Sequence, residues 1–257
     1  MHPSCAQLPA DKPMIGRMPV RSPYGVEIIE NCTSCVARTD FMFCDFAPAP
    51  LQALEKIRSV ATYPKGALLF LEGQAARGIF VLCSGRAKLS TSSSDGKTLI
   101  LRIAEPGEVL GLSATVSGRP YELTAELLEP SQANFVARKD FLEFLRANGE
   151  AALHVAQELC NNYHSAYAEI RSLGLSASAS DKLVKLLLQW TEKSEQGGGE
   201  IRIKNTLTHE EIAQLIGASR ETVTRSLGDL KKKGLIQVKG STLMVRNRAA
   251  LEKLVSS

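Results

Sequence analysis

Apolar positions along the chain change their period more than once, and each change marks a new kind of element. Between residues 60 and 137 they come in short runs broken by turn signals at Pro64-Lys65-Gly66, Gly73, Ser84-Gly85, Asp95-Gly96 and Pro106-Gly107. Runs of that length with glycine corners predict about eight short antiparallel strands wrapped as a β jelly roll, with alternate apolar residues facing inward. From about Arg138 the period becomes helical. Glu150–Leu173 predicts one long helix on which Leu153, Ala156, Cys160, Tyr163, Tyr167 and Ile170 follow a 3-4-3-4-3 spacing, the seam of a two-stranded coiled coil. A second copy of the chain would complete such a seam; a helix packed on its own roll is the plainer alternative. Gly174–Ser180 is a small-residue hinge, and Ser180 is a candidate N-cap for a helix over Asp181–Glu192. Gly197-Gly198-Gly199 predicts a flexible loop and Glu200–Lys204 a short strand.

The segment 207–235, LTHEEIAQLIGASRETVTRSLGDLKKKGL, carries the most specific pattern. Thr208 caps a helix running to Ile216, Glu211 completes a capping box, and Ile212, Leu215 and Ile216 share one face. Gly217 supplies a turn. Ser219 then caps a second helix through about Lys233, whose apolar stripe is Val223, Leu227 and Leu230. Its opposite front carries Arg220, Glu221, Thr222, Thr224 and Arg225. Two short helices about a tight turn form a helix-turn-helix, and the second presents base-reading chemistry at its N-terminal end. Arginine donates two hydrogen bonds to guanine, and glutamate accepts from cytosine N4. Arg220, Glu221 and Arg225 are therefore the candidate base readers. Thr208, His209, Ser219, Thr222 and Thr224 are candidate phosphate contacts. Leu235–Val238 and Thr242–Arg246, joined at Lys239-Gly240, predict a wing on which Lys239 and Arg246 face the DNA backbone.

Charge sharpens that picture. Residues 201–257 hold eleven Lys and Arg against five Asp and Glu, whereas the whole chain of 257 residues is only +4. A basic terminal module on a near-neutral body is the footprint of specific DNA binding. Hydrophobic residues make up 44% and charged residues 23%, an ordinary globular balance with ample core. No apolar run approaches the length of a membrane span. The proline-bearing stretch through about Pro23 has no hydrophobic core of a signal peptide, so a cytoplasmic location is expected. No nucleophile–base triad, paired-carboxylate pattern, phosphate loop or dinucleotide fingerprint stands out, which argues against an enzyme.

Six cysteines are the remaining chemistry. Cys32, Cys35 and Cys44 form a C-x2-C-x8-C cluster just before the roll, and in a reducing compartment three thiols so close point to metal binding or a redox switch. Cys83, in the strand-like run FVLCSG, is the available fourth ligand or simply a buried small residue. Zinc, with Cys83 or a histidine completing the set, no metal at all, and a thiol–disulfide protein using Cys32 and Cys35 all stay open. Cys160 lies on the helical seam.

Taken together, a glycine-punctuated roll, a long helix, a hinge and a winged helix-turn-helix containing ASRETVTR (Ala218–Arg225) resemble the Crp/Fnr superfamily of bacterial transcription regulators. The resemblance spans roughly residues 32–250. It implies an α+β chain divided into a flexible leader (1–31), a cyclic-nucleotide-binding-like β-roll sensor (32–149), a dimerisation helix (150–174) and a winged helix-turn-helix domain (175–257). It also implies a homodimer on double-stranded DNA, a TGTGA-like inverted repeat as operator, and RNA polymerase as a partner. Cyclic-nucleotide binders of this fold hold the phosphate with a Gly-Glu pair and an Arg-Ser or Arg-Thr about ten residues later. Here Leu112 follows Gly111, and Glu122-Leu123 stands where Arg-Ser is expected, so cyclic nucleotide is not expected to bind. Arg119 reaches that place only if the loop shifts, and Tyr167 is the approximate counterpart of the base-contacting helix position. The oxygen-sensing branch holds a [4Fe–4S] cluster on an N-terminal cysteine cluster and one roll cysteine. Its roll cysteine aligns nearer Asn134 than Cys83, and its gap before the third cysteine is shorter. A [4Fe–4S] or other iron–sulfur cluster at Cys32, Cys35, Cys44 and Cys83 is the effector site the resemblance implies.

Overall fold

A computed structural model describes residues 22–33, 35, 43–175, 178–192, 196–197, 200–204, 207–240 and 242–255. The chain enters the roll through helix α1 (Pro48–Ile57) and continues as β1 (Arg58–Tyr63), β2 (Leu68–Phe70), β3 (Gly78–Ser84), β4 (Ala87–Ser92), β5 (Thr98–Ala104) and β6 (Val109–Leu110). A short helix α2 (Leu112–Ser117) precedes β7 (Thr124–Leu127) and β8 (Ser131–Ala137). These eight strands form two antiparallel sheets, ordered β1-β8-β3-β6 and β2-β7-β4-β5.

Strand β3 explains why the pattern here is a continuous apolar run and not an alternation. Phe80 and Leu82 point into the roll against Phe70, Leu89, Leu110 and Tyr121. Ile79 and Val81 point the other way, into a layer formed by Phe43, Phe46, Leu51, Leu54, Phe141 and Phe144. Successive side chains face opposite sides of a strand, so a strand covered on both faces must be apolar throughout. Cys83 falls on the second face. The outer layer comprises α1, α3 (Arg138–Ala147) and the start of α4 (Gly149–Leu175). Prolines in the first turn of α1 cost no hydrogen bond, because those N–H groups have no helical partner.

The chain ahead of the roll is not all leader. Gln132 on β8 is fully buried, and its side-chain amide clasps the main chain of Ile29 in both directions: Ile29 N–H donates to Oε1 at 2.7 Å and Nε2 donates to the Ile29 carbonyl at 2.9 Å. This corrects the expectation of a free leader through residue 31 for the part from Ser22; residues 1–21 lie outside the described set.

The C-terminal unit contains α5 (Ala179–Glu192), β9 (Gln196–Gly197), β10 (Glu200–Lys204), α6 (His209–Ile216), α7 (Arg220–Lys232), β11 (Ile236–Lys239), β12 (Thr242–Val245) and α8 (Arg248–Val255). The wing is larger than a hairpin, since β10 pairs with β12 and extends the sheet to β11-β12-β10-β9. Leu183, Leu187, Ile212, Val223, Leu227, Ile236, Val245 and Leu251 make its core. The cap of α5 is Ser178 and not Ser180: its hydroxyl accepts from Asp181 N–H at 3.1 Å. Part of the expected hinge, residues 176–177, and of the glycine loop, residues 198–199, lies outside the described residues.

Phe141 is fully buried, with its ring 5.8 Å from that of Phe43 at a steep angle. Phe141→Ala is expected to destabilise the roll by about 3–5 kcal/mol in urea unfolding, the usual cost of emptying an aromatic site.

Candidate nucleic-acid interface and effector chambers

The helix-turn-helix is assembled by local hydrogen bonds. Thr208 O–H donates to Glu211 Oε2 at 3.0 Å and accepts from Glu211 N–H at 3.2 Å, while Thr208 N–H donates to the same carboxylate oxygen at 2.8 Å. Gly217 ends α6 at φ 62°, a left-handed backbone that costs glycine little, with open space about it. Ser219 caps α7 by accepting from Thr222 N–H at 3.2 Å. The two helices are also tied side to side. Thr224 O–H donates to the Arg220 carbonyl at 2.9 Å, so its contact with His209 Nδ1 at 2.9 Å needs an N–H on that ring nitrogen.

Val223, Leu227 and Leu230 bury one face of α7, leaving Arg220, Glu221, Thr224 and Arg225 exposed on the other, with Thr222 half-buried. Glu221 bends back over its own helix start: hydrogen bonds from its own N–H and from Ser219, with Arg220 alongside, hold its carboxyl below the usual range. Burial pushes the Glu211 carboxyl up, but the Thr208 backbone and hydroxyl donors and nearby Lys88 outweigh it and leave the group lowered. Lys239 is exposed at the wing turn, and Arg246 holds Gln237 across the wing.

The four named cysteines converge. Cys32, Cys35, Cys44 and Cys83 line one small chamber with Phe43, Leu51, Leu54, Val81 and Val136. Asn134 Nδ2 donates to Cys83 Sγ at 3.0 Å, so the strand position where the resemblance places a ligand and the position that holds the cysteine are direct neighbours. Arg58 also lines this chamber. Its Nη2 donates to the Glu30 carbonyl, but Nε and Nη1 are shielded from water and have no hydrogen-bond partner among the described residues. Burial pushes the Cys83 thiol up to about 12, with Cys32 adding to the rise and Arg58 opposing it. Burial likewise raises Cys32. Among the described residues no three His, Cys, Asp or Glu side chains are gathered so that they could hold a single metal ion. The four thiols stand around the walls of the chamber instead.

A second, larger cavity of about 580 Å³ lies between the roll and α4. Gly111, Leu112, Ser113, Glu122 and Leu123 line it from the roll, and Glu158, Asn161, Asn162, Ser165 and Ala166 from the helix. Tyr167 is not among its walls. Glu122 accepts from Ser113 Oγ at 2.9 Å, and the cavity's arginine, Arg102, is paired with Glu108. Arg119 is exposed outside it.

Along α4, Ala151 and Val155 are buried against the roll, whereas Leu153, Tyr163 and Tyr167 are 58%, 59% and 53% exposed. Ala156 and Cys160 are exposed on the same stripe; the Ile170 side chain lies outside the described residues. The sequence reading passed over Gln132, Arg58 and Lys88, and met Asn134 only as an aligned position. Only strand pairing brings them to their partners, and no local motif announces them.

Comparison with known proteins agrees with this geometry. Residues 60–148 match the cyclic nucleotide-binding domain family, and residues 181–254 match the Crp-like helix-turn-helix domain family. The chain is 26% identical over 213 residues to the CRP-like cAMP-activated global transcriptional regulator of Mycobacterium tuberculosis, covering 82% of this chain and 95% of that protein. It is 27% identical over 201 residues to the anaerobic regulatory protein of Bacillus subtilis, covering 77% and 83%. The structure of FixK2 from Bradyrhizobium japonicum shares the fold at a TM-score of 0.70 and 22% identity, over 78% of this chain and 98% of that one.

Two outcomes follow from the chambers. A thiol whose folded pKa lies above its ordinary value of 9.0 favours the fold below about pH 9, and that contribution is lost as pH rises toward 12. Metal-free protein is therefore expected to lose stability above pH 9 in urea titrations, and Cys83→Ala to lose less over that window. Cyclic AMP titrated into the protein is expected to give no calorimetric heat, because the cavity offers carboxylates where a cyclic phosphate needs an unpaired guanidinium; saturable micromolar binding would refute this.

Proposed function

We propose that this chain, which belongs to the Crp/Fnr superfamily of transcription regulators, works as a homodimer on an inverted repeat of TGTGA-like half-sites and takes its signal at the cysteine chamber. It is a DNA-binding regulator and not an enzyme. The observation that carries the DNA reading is the exposed face of α7: Arg220, Glu221 and Arg225 stand on one capped helix whose other face is core. Arg220 and Arg225 supply guanine-directed forks. Glu221 accepts from cytosine once it leaves its own helix cap, and Thr208, His209, Ser219, Thr222, Thr224 and Lys239 border the phosphates.

The dimer reading rests on α4. Leu153, Tyr163 and Tyr167 expose apolar surface on one stripe, with the two tyrosine rings 4.6 Å apart. A second copy of the same stripe is the natural cover for a 3-4-3-4-3 seam. Two-fold symmetry then sets the recognition helices one DNA turn apart, about 34 Å. A cytoplasmic dimer poised on DNA would act through RNA polymerase.

For the effector, an iron–sulfur cluster suits the chamber better than zinc or cyclic nucleotide. Four thiols line one small, largely apolar chamber, and the orphaned Arg58 N–H groups call for an anionic neighbour. A cluster bound there would supply oxygen- or redox-sensitive chemistry, with Cys32, Cys35, Cys44 and Cys83 as ligands. Burial raises the Cys32 thiol and makes it a poorer nucleophile, which weighs against a plain thiol–disulfide role for Cys32 and Cys35.

Arg225→Ala is expected to cost about 1–3 kcal/mol of operator affinity and to relax the preference at one base pair. Fluorescence anisotropy on single-substitution operators measures it; an unchanged ranking of sites would remove α7 as the reader.

A further inference from the structure

We propose that Arg58 is a positioning residue of the cysteine chamber, giving its positive charge and two N–H groups to the sulfur atoms of the cluster held by Cys32, Cys35, Cys44 and Cys83. The inference rests on the effector reading above and deepens it. Arg58 begins β1, opposite Val136 on β8, and its side chain lines the chamber together with all four cysteines. A guanidinium removed from water needs a partner for each donor. Nη2 has the Glu30 carbonyl; Nε and Nη1 have no partner among the described residues.

The carboxylates of Glu55 and Glu108 are engaged elsewhere. Glu55 accepts from the N–H groups of Cys32 and Thr33, and Glu108 is paired with Arg102. No ion pair between Arg58 and a carboxylate exists among the described residues. What the chamber does offer is sulfur. Four thiolates around a cluster core leave a net anion, and its burial among Phe43, Leu51 and Leu54 requires a counter-charge within the same shell. Asn134, donating to Cys83, is the second hydrogen-bond donor to that shell. Charge and hydrogen bonds at the sulfurs set the potential of such a centre. A cation stabilises the reduced, more negative state, so Arg58 raises the reduction potential.

The test uses full-length protein purified without oxygen: wild type, Arg58→Lys and Arg58→Met. Iron and sulfide are assayed in each, folding is checked by circular dichroism, and reduction is followed in a spectroscopic potentiometric titration. The expected result is a potential lowered in Arg58→Met and largely recovered in Arg58→Lys, which keeps the charge. A cluster that fails to load in Arg58→Met but loads in Arg58→Lys supports the same role. Equal loading and equal potential in all three proteins overturn it, as does loss of the cluster in both variants, which would mark Arg58 as an anchor for residue 30 alone. Wild-type protein without iron and sulfide would overturn the effector reading itself and the role of Arg58 with it.

Discussion

The buried amide of Gln132 is the constraint from which the sensor end follows. Strand β8 lies between β1 and β3, and on its helix-facing side it carries Gln132, Asn134 and Val136. Two of these are polar and wholly buried, so each hydrogen-bonding atom must find a partner inside the protein. Gln132 solves this by treating Ile29 as an extra strand, one donor and one acceptor each way, and by donating also to Asn134 Oδ1 at 3.1 Å. Asn134 passes its own donor to Cys83. The chain held at Ile29 then runs directly over the face where Cys83 lies, and Cys32 and Cys35 arrive there as a consequence. Glu55 of α1 fixes the arrival by accepting from the Cys32 and Thr33 amides. An apolar pair at positions 132 and 134 would pack the same strand without recruiting anything.

Economy of the same kind governs the DNA-binding end. Helices of eight and thirteen residues are too short to be stable alone, so α6 and α7 depend on their caps and on a shared core. Glu211 closes the capping box of α6, and Ser219 opens α7. Glu221 lends its carboxylate to its own helix start, where the positive end of the helix dipole favours it. On the proposed reading of α7, a glutamate parked in this way would have to be displaced on binding, and the arginines on either side would carry the first approach to DNA.

What the sequence made legible is what is local. Thr208, Glu211, Gly217 and Ser219 act on neighbours within a few residues, so their roles were readable from spacing, and the ends of α6 and α7 fell within a residue of the expected positions. The roll's strand rhythm was readable for the same reason. Contacts made across the chain were not. Cys83 and Asn134 lie 51 residues apart and meet only through the β3–β8 register; from sequence Cys83 was equally a plain core residue. Arg58 belongs to no motif. Helix α1 hides behind Pro48 and Pro50, which mark a turn as readily as a helix start. Which face of α4 meets the large cavity was not readable either, because the rotation of α4 is set by Ala151 and Val155 packing on the roll, and repeat counting cannot supply that angle.

The contact between roll and DNA-binding unit includes an ion pair that shares its groups with other tasks. Lys88 on β4 stands 3.1 Å from Glu126 of its own sheet and 3.4 Å from Glu211 of α6. Both carboxylates keep some access to water, so the bridge to α6 is worth about 1 kcal/mol or less, similar to the smallest couplings that make a regulatory switch. Glu211 divides its two oxygens between tasks: Oε2 serves the Thr208 cap and Oε1 meets Lys88. Releasing Lys88 therefore leaves the capping box intact, and Lys88 still keeps Glu126. The fold of α6 and the exposed face of α7 therefore do not depend on the bridge to the roll.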